Sequence, residues 1–148
     1  MLNDMRLFRE ACLIGGQWTT ADSGETVAVD NPATGEILGH VPRCGREETR
    51  RAVEAASAAW PALRAMTALE RADMLLRWHD LILANKDDLA RLMTLEQGKS
   101  LAESAGEIGY GASFIRWFAE EARRAYGDVV PANARGRMIL VTREPIGV

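Results

Sequence analysis

The order of apolar and polar positions changes character twice along the chain. Through Pro42 it is the pattern of short strands and turns. Cys12-Leu13-Ile14 and Gln17-Trp18-Thr19 flank Gly15-Gly16. A Gly-Gly connector between apolar runs predicts a β-hairpin, because both glycines reach positive φ easily. Thr26 to Asp30 alternates, with Val27 and Val29 on one face. Asn31-Pro32-Ala33-Thr34-Gly35 predicts a turn. Ile37 to Val41 predicts a further strand, broken at Gly39 and stopped by Pro42.

From Glu47 to Tyr126 the period becomes helical. Ala52, Val53, Ala56 and Trp60 predict a helix that Pro61 ends or kinks near Trp60. Thr67 with Glu70 forms a capping-box pattern ahead of Leu69, Ala72, Leu76 and Leu83. Asn85 predicts the N-cap of a third helix, with Asp87 and Asp88 at the positive end of its dipole. Gly98 ends it. Ser100 with Glu103 repeats the capping box for a long fourth helix, closed by Gly127. Leu101, Ala105, Ile108, Ala112, Ile115, Ala119, Ala122 and Tyr126 form its apolar stripe, half of it alanine. Gly106, Gly109 and Gly111 interrupt its interior, each costing about 1 kcal/mol relative to alanine. They allow either close helix packing or an open channel beside the backbone. Strand pattern returns at Asp128 to Pro131 and at Arg137 to Thr142, around the polar connector Asn133 to Gly136.

Composition narrows the function classes. The 148 residues are 47% hydrophobic and 26% charged, with a net charge of -3. That excludes a generic basic nucleic-acid surface. No apolar run approaches the roughly 20 residues of a membrane span, and Met1 to Glu10 lacks the apolar core of a secretory signal. Two cysteines are too few for a disulfide scaffold, so a reduced, cytoplasmic setting is expected. Cys12, Cys44, His40 and His79 lack metal-ligand spacing. Arg43 beside Cys44 could lower its thiol pKa, but no base or oxyanion donor accompanies it, and a spectator thiol is expected. Cys12 reads as a small core residue and His79 as a core-edge histidine. Glu96, Glu103 and Glu107 do not form a glycosidase-like pair. The residues alone describe a soluble α+β unit without a complete catalytic constellation. The apolar close at Ile146-Gly147-Val148 predicts a chain that continues into another buried element.

The run Asp88 to Leu101, DLARLMTLEQGKSL, resembles the N-terminal part of aldehyde dehydrogenases, most nearly the succinate-semialdehyde subgroup. Other blocks agree in order and spacing: LIGGQW at Leu13 to Trp18, NPATG at Asn31 to Gly35, ASFIRWFAEEARRAYG at Ala112 to Gly127, and REPIGV at Arg143 to Val148. Ser100 stands where that family commonly has Pro, and either suits a helix start.

The resemblance implies an α/β fold class. The chain would be the N-terminal fragment of the aldehyde dehydrogenase fold: β-hairpin and strands, four helices, then oligomerisation strands. Residues 1–127 would belong to the nucleotide-binding domain, and 128–148 would begin the oligomerisation strands. In the full-length enzyme NADP or NAD would accept the hydride, a cysteine thiolate would attack the aldehyde, and a glutamate would activate water. The family's catalytic asparagine, cysteine and glutamate and its cofactor lysine lie beyond the matching blocks. No catalytic or cofactor-binding residue is therefore assigned here, and the chain alone is expected to be inactive. The implied reaction is oxidation of succinate semialdehyde to succinate, a step of GABA degradation. Glutarate semialdehyde is an alternative substrate, and a non-catalytic structural or interaction module an alternative role. Gly106, Glu107 and Tyr110 would lie near the mouth of the substrate tunnel. Phe114, Trp117 and Phe118 would contribute to its wall or serve only packing, and packing is expected. Val29, Asp30 and Glu96 would hold a structural monovalent cation, or Glu96 would simply hydrogen-bond a loop. Expected partners are a small aldehyde and further copies of the full-length chain, not nucleic acid or membrane.

Overall fold

The computed structural model describes residues 2–147. After a short 3-10 helix at Met5–Leu7, strand β1 (Cys12–Ile14) pairs antiparallel with β2 (Gln17–Thr19). Gly15 and Gly16 take φ of 58° and 80°, as a tight hairpin requires. Strand β3 (Thr26–Asp30) pairs antiparallel with β4 (Ile37–Pro42), with a register shift between Val29 and Asp30. The Asn31–Gly35 turn closes with Gly35 N donating to Asn31 O at 2.7 Å.

Gly39 does not break β4, contrary to expectation; it pairs with Val29. A Cβ there would stand 2.7 Å from Phe8 Cζ and 2.8 Å from Glu10 Oε1. The glycine admits the N-terminal segment onto the hairpin, and Glu10 Oε1 accepts from His40 N at 2.6 Å.

Four helices follow: α1 (Arg46–Ala65), α2 (Ala68–Ala84), α3 (Lys86–Gln97) and α4 (Leu101–Ala122). Helix α1 runs through Pro61 rather than stopping near Trp60. Pro61 and Ser57 are both exposed, so water can solvate the Ser57 carbonyl that loses its helical donor. The capping boxes at Thr67–Glu70 and Ser100–Glu103 form as expected, with Thr67 and Ser100 hydroxyls each accepting from the N3 backbone. Asn85 occupies the N-cap of α3, yet its side chain makes no cap there. It donates backwards to Leu81 O at 2.8 Å, closing α2 instead. Gly98 ends α3 with φ 72°.

Gly127 does not terminate α4, which ends at Ala122. Its role is close approach: a Cβ at Gly127 would sit 1.6 Å from Val141 O. The glycine lets the chain enter the hairpin of β5 (Asp128–Val130) and β6 (Ile139–Val141).

Helix α4 packs on α2 and α3, while α1 lies against β1. The helices meet through small residues. Ala72 of α2, Ala90 of α3, and Ser104, Ala112 and Ala119 of α4 are buried. The ends of the expected stripe, Leu101 and Tyr126, are exposed, and Ser104 takes the inner position instead. Its hydroxyl is paired with Thr94 Oγ1 at 2.8 Å, so no polar group is left bare.

Asp88 fastens the N-terminal segment. It is buried and accepts from Asn3 N at 2.9 Å, Asn3 Nδ2 at 3.1 Å and Asp4 N at 2.8 Å. The Asn3 backbone donor, above all, holds its carboxyl below the ordinary aspartate value. Among the described residues no helix is long and apolar enough to cross a membrane.

Candidate functional site

The residues the resemblance assigns to a tunnel mouth lie together on the outer side of α4. Gly106, Tyr110, Phe114 and Phe118 follow at four-residue steps and form one ridge; Glu107 and Trp117 flank it. Tyr110 is 65% exposed and its ring meets Phe114 edge-on, with centroids 4.8 Å apart and planes at 82°. Ser113 Oγ donates to Tyr110 O at 2.7 Å, holding a hydroxyl on the turn below the ring.

The two readings of the mid-helix glycines separate here. A Cβ at Gly106 or Gly111 would meet nothing within 4 Å, and one at Gly109 would meet only Lys86 Nζ at 3.6 Å. None is needed for close helix packing; that work falls to the buried alanines and Ser104. Phe114, Trp117 and Phe118 are all exposed in this segment, so the helices described here do not cover them. Large apolar side chains flank a strip of uncovered backbone.

Glu107 is ion-paired with Lys99. Lys99 follows Gly98, and a Cβ at Gly98 would sit 3.0 Å from Pro32 Cγ. The Asn-Pro turn and the Gly-Lys pair, 66 positions apart by their numbering, are thus neighbours, and Lys99 carries that junction to the foot of the ridge. Sequence reading missed Lys99 because nothing local pairs it with a residue two turns up the next helix.

Val29 and Glu96 line one small cavity of about 150 Å³, with Glu10, His40 and Arg9 also in its wall. Asp30, exposed at the register shift, is not part of that wall. Among the described residues no group of three or more His, Cys, Asp or Glu could hold a metal ion by side chains alone. Carbonyl and carboxylate oxygens, by contrast, are the donors a hard monovalent cation takes.

The thiols lie elsewhere. Cys44 Sγ is 3.6 Å from Cys12 Sγ, and both residues are half-buried, so Cys12 is no full core residue. Arg43 does not activate Cys44. Contact with Cys12, then burial, pushes its thiol above the ordinary value. His79 is a core-edge residue as expected, with Nδ1 2.9 Å from Asp80 Oδ1. The α4 ridge can therefore line and orient, but no described nucleophile stands against it.

The sequence profile of the aldehyde dehydrogenase family matches residues 18–148. The chain is 58% identical to a glutarate-semialdehyde dehydrogenase of Pseudomonas aeruginosa, over 99% of this chain and 30% of that protein. It is 55% identical to the NADP(+) succinate-semialdehyde dehydrogenase of Escherichia coli, over 99% of this chain and 30% of that one. The crystal structure of a succinate-semialdehyde dehydrogenase from Burkholderia pseudomallei superposes with a TM-score of 0.95 at 55% identity, covering 99% of this chain and 30% of that one. The chain thus spans about 30% of the length of the relatives it matches.

Proposed function

The chain belongs to the aldehyde dehydrogenase family, and on that premise we propose that it is the N-terminal segment of an enzyme that oxidises succinate semialdehyde to succinate. Glutarate semialdehyde is the alternative substrate, since the two kinds of relative differ by only 58% against 55% identity. The observation that carries the reading is the outer ridge of α4. Two glycines with open space above them and a row of exposed aromatics suit the wall of a tunnel, where a small aldehyde passes over backbone. Gly106 supplies room, Tyr110 a flat wall with a hydroxyl at its rim, and Glu107 a charge already tied by Lys99.

NADP or NAD is the proposed hydride acceptor of the whole enzyme. This segment offers it no cradle, since Gly106 and Gly109 lie inside a helix, not at a strand-to-helix turn. No step of the chemistry is therefore assigned to the present residues. The chain alone should give no cofactor reduction with aldehyde present. Val29 and Glu96 would hold a structural monovalent cation, with Asp30 contributing only through its backbone. A melting midpoint about 1–3 °C higher in potassium or sodium than in choline, lost in Glu96→Gln, is expected; equal midpoints would reject the site. The β5–β6 hairpin would extend a sheet between copies of the full-length chain.

A chimera tests the substrate. This segment replaces the matching part of the Escherichia coli relative, and the folded chimera is assayed with both semialdehydes and NADP+. Oxidation of succinate semialdehyde at near-parental kcat/KM is expected. A folded chimera that prefers glutarate semialdehyde moves the assignment to that substrate, and one inactive on both rejects the reading.

A further inference from the structure

Cys12 and Cys44 are 32 positions apart in sequence, and their sulfurs are 3.6 Å apart. The contact joins the β1–β2 hairpin to the turn that starts α1. Both ends are held firmly. On the hairpin, Cys12 pairs with Thr19, whose Oγ1 donates to Cys12 O at 3.4 Å, and a Cβ at Gly15 would touch Ala55 Cβ of α1 at 3.7 Å. At the turn, the buried Glu48 accepts from Gly45 N at 2.9 Å and from Asp22 N at 2.7 Å. Arg51 makes a two-pronged ion pair with Asp22 at 2.7 and 2.8 Å, and Arg43 N donates to Glu25 O at 2.9 Å. These contacts keep the Cys44 backbone from drifting away from β1. An open depression of about 630 Å³ is walled in part by Cys44, Arg43 and Gly45.

We propose that Cys12 and Cys44 form a redox modification site: a dithiol that small disulfides convert reversibly to an intramolecular disulfide, clipping the hairpin to α1. The oxidant is a low-molecular-weight disulfide, of which glutathione disulfide is the probe. Cys44, which lines the depression, attacks one sulfur of the probe as thiolate, a minor form for a thiol held above its ordinary value. The probe's S–S bond breaks and one glutathione thiolate leaves. Cys12 then attacks the Cys44 sulfur of the mixed disulfide, forming the protein S–S bond and expelling the second glutathione. Two electrons pass from the protein dithiol to the probe, and the two thiol protons end on two glutathione thiols. The sulfurs must close from 3.6 Å to a bond of about 2.05 Å. The frame around Glu48 favours this second attack over a lasting mixed disulfide.

The chain is incubated with glutathione disulfide, alkylated under denaturing conditions and digested, and the peptides are read by mass spectrometry. The expected product is a single-chain Cys12–Cys44 cross-link, reversed by dithiothreitol, with a thermal midpoint raised by roughly 5–10 °C. Cys12→Ser should stop at a stable glutathione adduct on Cys44. A persistent adduct on the unmutated chain, a cross-link between two chains, or two thiols left free would each overturn the proposal. The readout on the unmutated chain holds even if the variant fails to fold.

Discussion

The inner face of α4 meets α2 and α3 through Ser104, Ala112 and Ala119, all buried. Its outer face leaves Tyr110, Phe114, Trp117 and Phe118 in solvent. One helix thus buries small side chains and exposes its largest. Burial of apolar area is the main favourable term in folding, and each aromatic carries about 150–250 Å². A helix ordered only by that term would turn its aromatics inward. Here close backbone approach decides the inner face: small residues bring the three helices together, and Thr94 pairs with the buried Ser104. The outer face answers to something other than this segment's own stability. An apolar surface of this extent, rimmed by Lys99 and Glu107, is the kind that marks an interaction or ligand wall.

Substitutions can break that contrast or sharpen it. The largest effect is expected from Ala112→Leu, which forces added volume into a buried position between the helices. Urea denaturation should show a loss of about 1–3 kcal/mol, and an unchanged stability would mean that the inner face is looser than described. Ser104→Ala should cost about 1 kcal/mol by stranding the Thr94 hydroxyl, whereas Ser104→Ala with Thr94→Val should recover part of the loss. Gly106→Ala has the opposite sign on the two readouts. Open space around the added methyl should give a gain of roughly 0.5–1 kcal/mol in chain stability, while the chimera carrying it should lose turnover. A gain in stability with full turnover would reduce Gly106 to an accident of sequence. The smallest stability effect belongs to Trp117→Ser, within about 0.5 kcal/mol of the unmutated chain. It should nevertheless lower self-association in sedimentation, because the exposed ridge makes the isolated chain sticky. A sharp, reversible melt of a strictly monomeric chain would argue against that stickiness.

Acid should act on a different part of the molecule. The Asp88 carboxyl is held below its ordinary value when folded, so its anchoring contributes stability above about pH 4. That contribution fades as pH falls through the lowered value. Asp88→Asn should flatten the acid limb of the stability profile, and an unchanged limb would show that the N-terminal segment is not held there.

Local chemistry made much of the fold legible. Gly15-Gly16, the Thr67–Glu70 and Ser100–Glu103 boxes, and Gly98 each specify a backbone event within a few residues. The misreadings share one physical cause: the deciding partner was distant in sequence. Gly39 looked like a strand breaker because Phe8 and Glu10, which need its space, lie about 30 positions earlier. Gly127 looked like a helix stop because Val141 O is not a local neighbour. Asp88 looked like a dipole residue and proved to be a buried anchor for Asn3 and Asp4. Of the two outcomes expected at Pro61, the helix end does not occur, since an exposed helix can solvate what proline frees. For the candidate site, the spacing of Gly106, Glu107 and Tyr110 fixed their shared helix, but only the surrounding space could say that the glycines face nothing. The exposure of the aromatics was hidden for the same reason: period three-four identifies a face, not what covers it.

The Asp88 anchor also sets a schedule. Asn3 and Asp4 leave the ribosome before their acceptor, which is 84–85 positions later in sequence. At roughly 5–20 residues per second, the opening segment waits about 4–17 s before its acceptor has been made. During that interval the Phe8 ring and the Glu10 carboxylate can already reach the β3–β4 hairpin, synthesised well before α3. The segment therefore docks in two instalments, hairpin first and helix second. A nascent chain stalled between them would hold Phe8 and Glu10 on the hairpin while Asn3 and Asp4 stayed undocked.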